Sequence, residues 1–182
     1  MKCLSIIVPV YNEEKSLKKI FKKLFLLRFR KMKKEIIAVN DGSTDESLKI
    51  LRKLNKKTIH NQKNQGKGKA VQLGISKSGG DYVIVQDSDL EYSPSDINKI
   101  VNKINNSEKI SVYGSRYLPL TFGFLPKYHK GQNLSSYFAN ILFIVLFFLL
   151  YGKFITDPLT GYKLYEKKFF KKNLIKSNGF EA

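Results

Sequence analysis

The chain has one cysteine, two histidines and no tryptophan among 182 residues. A lone Cys3 at the head of an apolar strand excludes a disulfide framework and any cysteine-based zinc site, and reads as a buried, inert thiol. His60 and His129 have no neighbouring cysteine or second histidine with which to complete a zinc set. No long hydrophobic run is present. The most apolar stretch, Ile141 to Tyr151, falls short of the ~18 to 20 residues a spanning helix needs and suits a buried or interfacial helix better. After Met1 and Lys2 the first apolar stretch is short, contains Pro9 and runs into the polar YNEE, so a secretory signal is not expected and a cytoplasmic start is. Arginine is also scarce, at four (Arg28, Arg30, Arg52, Arg116) of the 33 basic residues.

Acids number only 15, and the resulting formal charge of +18 calls for a polyanionic partner such as nucleic acid, an anionic membrane surface or phosphorylated substrates. It does not choose among them, and a chain rich in Lys, Asn and Ile together is equally consistent with compositional bias. The length suits one domain, spanning 1–182. The closing SNGFEA follows a run that still reads as ordered structure, without a cap or polar tail, so truncation at the C-terminus is expected.

From residue 3 to about 115, short apolar runs alternate with helix-period segments, the signature of βαβ units and a mostly parallel central sheet with helices on both faces. Leu4 to Val10, Glu35 to Val39, Thr58 to His60, Asp81 to Gln86 and Ile110 to Tyr113 read as strands. Between the first two, Leu17, Ile20, Phe21, Leu24 and Phe25 share one helical face. A second helix follows Asp45 with Leu48, Leu51 and Leu54 inward, and Gly66 to Gly74 opens a third. Ser93 and Pro94 start a fourth, with Ile97, Ile100, Val101 and Ile104 inward.

In such sheets ligands sit at the carboxyl ends of the strands. Three strand ends carry acids in succession: Asn12, Glu13 and Glu14; then Asn40, Asp41 and Asp45; then Asp87, Asp89 and Glu91. The last set offers carboxylates at i, i+2 and i+4 on an extended segment, so they point one way and suit a hard divalent cation shared with substrate phosphates. Turn-making and helix capping account equally well for Ser43 and Asp45, but not for Asp41. GKGKAVQLG is like a phosphate cradle, yet lacks the GK[ST] ending of a P-loop.

The ordered set SIIVPVYNEE, VNDGSTDES, NQGKGKAVQLGI, DYVIVQDSDLEY, YGSRY and TDPLTGYKLY resembles family 2 inverting glycosyltransferases of the GT-A fold, in the branch of dolichyl-phosphate mannose synthase and bacterial polyprenyl-phosphate glycosyltransferases. That resemblance implies a nucleotide-sugar pocket formed by Pro9, Tyr11, Glu13, Asp41, Lys69, Asp87 and Ser88, with Asn40 where Asp is common. It implies Mg²⁺ or Mn²⁺ at Asp87 and Asp89, with Glu91 where that branch commonly has Gln, and Arg116 facing phosphates of donor or acceptor. Bidentate recognition suits an arginine there, and a surface ion pair is its alternative. A polyprenyl phosphate acceptor is implied, and its oxygen is already anionic near neutral pH. A sugar hydroxyl acceptor would instead need a base, for which Asp157 is the candidate; capping or turn-making beside Pro158 and Gly161 is its other reading.

The segment 133–151 begins with Ser135, Ser136 and Asn140 on a polar side and then becomes apolar all round, as a core or membrane-contacting helix does. Flanked by Lys127, Lys130 and Lys153, it reads as interfacial, which places the chain peripherally at the cytoplasmic face of an anionic membrane. Nucleic acid is not an expected partner, because the signature turns are acidic and would repel phosphates without a metal. A nucleotide-binding remnant without catalysis is the rival reading.

Overall fold

The computed structural model describes residues 1–55, 57–90, 92–105, 111–115 and 133–172. It divides into two compact units, 1–112 with 163–182, and 113–162.

The first unit is built on a six-stranded sheet of order β3-β2-β1-β4-β6-β5. Its strands are β1 (Lys2–Val10), β2 (Met32–Asp41), β3 (Thr58–Asn61), β4 (Tyr82–Val85), β5 (Ser111–Tyr113) and β6 (Lys163–Glu166). β1 pairs in parallel with both β2 and β4, and β2 with β3, while β6 runs antiparallel to β4. The mostly parallel sheet is as expected. The added antiparallel strand β6, in the KLY of TDPLTGYKLY, is a feature that the alternation of Lys163, Leu164, Tyr165 and Glu166 was too short to announce.

Helices α1 (Glu14–Leu26), α2 (Ser47–Leu54), α3 (Lys67–Ser76) and α4 (Asp96–Asn105) fill the connections. The chain steps outward from β1 to β3 and then returns across β1 to β4. Right-handed crossovers therefore put α1 and α2 on one face and α3 on the other. Packing agrees: Ile7, Ile37, Val39 and Val83 meet Ala70, Val71 and Ile75 of α3 in one core cluster. Ile6, Val8, Ala38 and Ile84, one residue out of phase, are also fully buried and point to the opposite face. α1 offers that face Leu17, Ile20, Phe21 and Leu24, with Phe25 40% exposed at the margin of the stripe. α4 buries all four residues expected of it. In α2 only Leu51 is buried among the three leucines.

Helix α3 lies close to the sheet because Gly74 has no side chain; a Cβ there would come within 2.4 Å of Ile7 Cγ2. The amino end of the sheet is tied together by Glu35 on β2. Its Oε1 accepts hydrogen bonds from Ser5 Oγ (2.6 Å), Gly79 N (2.6 Å) and Gly80 N (3.0 Å), and Lys57 pairs with Oε2. Cys3, beside this node, is half-buried, and its thiol is pushed up by burial and then by the negative charges of Glu35 and Asp81, which keeps it unreactive.

In the second unit, α5 (Leu134–Tyr151) starts seven residues before the apolar run. Asn133 caps it, its side chain accepting from Ser135 N at 3.2 Å, and Gly152 in the left-handed region ends it. The result corrects the reading of an apolar segment too short to span: α5 has 18 residues and is long and apolar enough to cross a membrane by length and composition. Only Asn140 and Ile144 of α5 are buried. Asn140 Nδ2 donates to Thr156 O at 3.5 Å, and Thr156 Oγ1 meets Ser115 Oγ at 2.9 Å.

Burial alone would raise the Glu35 carboxyl; the hydrogen bonds from Lys57, Ser5 and Gly79 outweigh it and lower the group from 4.5 to about 2. A carboxylate depressed in the fold contributes stability above its unfolded value and loses it as pH falls. Glu35→Ala is therefore expected to cost about 1–3 kcal/mol near neutral pH. In urea titrations the gap between wild type and variant should close as pH falls from 4.5 toward 2; a gap independent of pH would contradict this role for the charge.

Candidate active site at the strand ends

The reversal of strand order lies between β1 and β4, and this is where an open α/β sheet leaves a crevice. β1 pairs with β4 only as far as Ile7 with Val85. The last ladder bond runs from Gln86 N to Ile7 O at 2.8 Å. Beyond it, Pro9 turns its peptide to the same side, so its missing N–H leaves no ladder bond unmade. Its carbonyl accepts instead from Ser88 Oγ at 3.1 Å, with Ser88 itself buried. Ser88 thus fastens the DSDLEY turn to the end of β1. Gln86, fully buried, holds the same turn from beneath, its Nε2 donating to the carbonyls of Asp87 (2.9 Å) and Tyr92 (3.2 Å). Gln86 was not singled out in the sequence; a polar residue at the end of a buried strand was the available signal.

The first two acid-bearing turns are stitched to each other. Asn12, at φ 55°, accepts from Thr44 N at 2.8 Å and its own amide donates to Ser43 Oγ at 3.0 Å. Glu13 N donates to Ser47 Oγ (2.9 Å), Glu14 N to Asp45 Oδ2 (3.1 Å) and Glu46 N to Glu14 Oε2 (3.1 Å). Burial would raise Asp45, but the Ser47 hydroxyl and the amides of Ser47 and Glu14 outweigh it and hold its carboxyl below the usual range. Glu13 receives Ser16 Oγ at 2.7 Å, and Tyr11 is exposed at the rim.

Asp41 is buried at the end of β2. Asn61 Nδ2 (2.8 Å) and Gln65 N (3.2 Å) donate to its Oδ1, and Gly66 N (2.8 Å) to its Oδ2. Its expected place in the nucleotide-sugar pocket therefore has a structural competitor: Asp41 anchors the loop before α3. Gly42 makes that closure possible, with φ 73° and a position where a Cβ would lie 2.5 Å from Asn64 N. Asn40 Nδ2 meets His60 Nδ1 at 3.0 Å, so His60 has a structural partner and no metal role is needed.

The anchored loop delivers the first turn of α3, which carries Lys67 and Lys69 and no acid. Lys67, which the sequence did not single out, reaches Asp87, with Nζ 2.8 Å from Oδ1. Lys69 is half-buried on the same turn. Two cations at a helix N-terminus work against the helix dipole and make that end attractive to anions. Asp89 is exposed on the turn, and Glu91 and Arg116 lie outside the described residues. Among the described residues no cluster of three metal-binding side chains is assembled. The donor set nonetheless fits a hard dication that retains waters and shares substrate phosphates, since such an ion needs only one or two carboxylates. Lys67 on Asp87 already marks that carboxylate as a place for positive charge. Asp157 belongs to the second unit, where it is fully buried and opens a turn closed by Thr160 N on its carbonyl at 3.3 Å.

At the amino end of the sheet there is a cleft of about 360 Å³. Its polar groups are mutually engaged, Lys2 with Tyr82, Lys168 with Glu166 and Asp81 with the Cys3 amide, and it has no part in the strand-end site.

Asp41→Ala is expected to leave the Gln65 and Gly66 amides without their acceptor, at about 1–3 kcal/mol. Hydrogen exchange at those two amides should accelerate about ten-fold or more, in line with that loss. Unchanged protection would show that the loop is held by something else.

Glycosyl transferase family 2 matches residues 5–174. UDP-N-acetylglucosamine--dolichyl-phosphate N-acetylglucosaminyltransferase of Methanococcus voltae is 30% identical, over 93% of this chain and 72% of its own length. Human dolichyl-phosphate beta-glucosyltransferase is 30% identical, over 92% of this chain and 56% of its own. Among solved structures, glucosyl-3-phosphoglycerate synthase from Mycobacterium tuberculosis, in complex with Mn²⁺, UDP and glucosyl-3-phosphoglycerate, superposes with a TM-score of 0.67 at 19% identity. That match covers 93% of this chain and 58% of that one, so the chain spans little more than half of the solved protein. The fold is the GT-A fold expected from the sequence, and the chain belongs to glycosyl transferase family 2.

Proposed function

We propose that this chain is the donor-binding part of an enzyme that moves a sugar from a nucleotide sugar to a polyprenyl phosphate at a membrane surface. The observation that carries the reading is the turn of Asp87 and Asp89, pinned at the switch point by Ser88 and Gln86 and faced by Lys67 at the start of α3. A site that transfers sugar must stabilise the charge that develops on a departing nucleoside diphosphate, and fixed cations do this without reorganising. Lys67 is held on the acidic turn, Lys69 is half-buried on the same turn of α3 as Lys67, and Arg116 would add a bidentate contact. The stitched turns of Tyr11, Glu13 and Asp41 form the wall on which the nucleoside would rest, Asp41 through the loop it anchors.

A divalent ion, Mg²⁺ or Mn²⁺, held by Asp87 and Asp89 with Glu91 in support, would supply Lewis-acid stabilisation of the diphosphate. The Mn²⁺ and UDP in the mycobacterial synthase support this for a protein of the same fold. Lys67, which pairs with Asp87, would add a second positive charge for the diphosphate beside such an ion.

The names of the archaeal and human relatives support a dolichyl-phosphate class of acceptor. A phosphate oxygen with a second pKa of about 6 is an anionic nucleophile at neutral pH, so no protein base is required. The full burial of Asp157 accords with that, and favours its turn-making role over that of a base. α5 supplies the membrane contact. Its 18 residues span about 27 Å at 1.5 Å per residue, and Leu142, Phe148, Leu149 and Leu150 are exposed on it. A cytoplasmic face is the side on which a nucleotide-sugar donor would be met, and the reading puts the enzyme there as a proposal.

The test is transfer of label from UDP-N-acetylglucosamine, UDP-glucose or GDP-mannose to dolichyl and undecaprenyl phosphates with Mn²⁺. One donor is expected to carry label into the lipid phase, and Asp89→Ala to reduce the rate at least about 100-fold. Label that appears only on a saccharide hydroxyl acceptor would overturn the lipid-phosphate reading.

A further inference from the structure

Helix α1 turns a single chemical character outward. Lys15, Lys18, Lys19, Lys22 and Lys23 fall at i, i+3, i+4, i+7 and i+8, and all five are exposed. None of them takes part in an ion pair among the described residues. The one acid of the helix, Glu14, is committed to the amide of Glu46. The stripe continues into Leu26, at i+3 and i+4 from the last two lysines and 66% exposed, with Phe25 beside it. Arg28 and Lys34 close the end of the helix, their cationic groups donating to the carbonyls of Leu24, Phe25 and Leu27. α2, packed against α1, adds exposed Arg52 and Lys53.

Like charges at i and i+4 destabilise a helix, so five on one face with no acid among them are tolerated at a cost in the isolated protein. An external array of negative charge removes that cost. We infer that the outer face of α1 is a docking surface for an anionic lipid bilayer, with the lysines over the headgroups and Leu26 and Phe25 entering the boundary of the acyl region. A basic helix with an apolar end matches such a surface in both respects. A nucleic acid would meet the lysines equally well but would offer Leu26 nothing to be buried in. The inference rests on the lipid-phosphate reading of the acceptor, and deepens it: this face would bring the donor-binding unit itself to the leaflet that holds the acceptor.

Each lysine near an anionic leaflet strengthens partitioning about five-fold. The experiment measures co-sedimentation of the full chain with vesicles of phosphatidylcholine alone and with about a third phosphatidylglycerol. Two variants of equal charge are compared: Lys18→Glu with Lys22→Glu and Lys23→Glu, and Lys33→Glu with Lys77→Glu and Lys99→Glu. The first places Glu beside the remaining lysines of α1, so the helix is not weakened, and circular dichroism checks both. The α1 variant is expected to lose about 100-fold of the preference for anionic vesicles, the distal variant only a few-fold, and Leu26→Ser to weaken binding further in either background. Equal losses in the two variants would reduce the effect to net charge and overturn the assignment. So would an α1 variant that keeps its vesicle preference while losing affinity for single-stranded RNA. Binding of UDP and GDP by both variants should stay at the wild-type level, so a failed lipid result can be told apart from a failed donor site.

Discussion

The carboxylate of Asp41 is the constraint on which the strand-end site depends. It is buried at the carboxyl end of β2 and takes hydrogen bonds from Asn61, Gln65 and Gly66, and so fixes the path by which the chain leaves β3 and enters α3. A buried carboxylate is expensive unless such donors surround it, and a loop with free amides is expensive unless an acceptor meets them. Each satisfies the other. Because the loop is fixed, the first turn of α3 is fixed, and with it Lys67 against Asp87. Gly42 admits the loop at a distance no side chain would allow.

The same economy of charge runs through the whole chain. A protein of net charge +18 places seven of its 15 acids, Glu13, Glu14, Asp41, Asp45, Asp87, Asp89 and Glu91, in three strand-end turns, and meets those of the first two with hydroxyls and amides. Asp87 has a lysine as its neighbour, and both would face a diphosphate bound with a divalent ion. Five further lysines line the outside of α1, where charge bears on association and not on the fold.

Much of this was legible in the sequence because the strands are continuous apolar runs and the helices carry clean stripes. LSIIVPV is a strand buried on both faces, and Ile97, Ile100, Val101 and Ile104 are buried to the last residue. The acid-bearing turns were legible because buried strands end in them; that Asp41 and Asp45 hold those turns together through backbone amides was not. What periodicity could not convey was tertiary. β6 exists because β4 offers it an antiparallel partner, which four alternating residues do not reveal. Which lysine of GKGK faces the acidic turn depends on the phase at which α3 begins, and that phase is set by Asp41 across 24 and 25 residues of chain. α5 forms over nearly all of the 133–151 segment read as a helix; its capacity to span was missed in the run 141–151 alone, because Ser135, Ser136 and Asn140 interrupt the apolar pattern but not the helix, which Asn133 caps.

On the proposed function, the Asp87 and Asp89 turn binds a nucleoside diphosphate together with a divalent cation. Isothermal titration of UDP and of GDP, each with and without Mn²⁺, into the wild-type chain and Asp89→Ala tests it most directly. One nucleotide should bind at least about ten-fold more tightly with the metal, since an added charge-assisted contact is worth at least that much, and the gain should vanish in the variant. Failure of both nucleotides to bind the folded chain, or binding indifferent to Mn²⁺ and to Asp89, would contradict it.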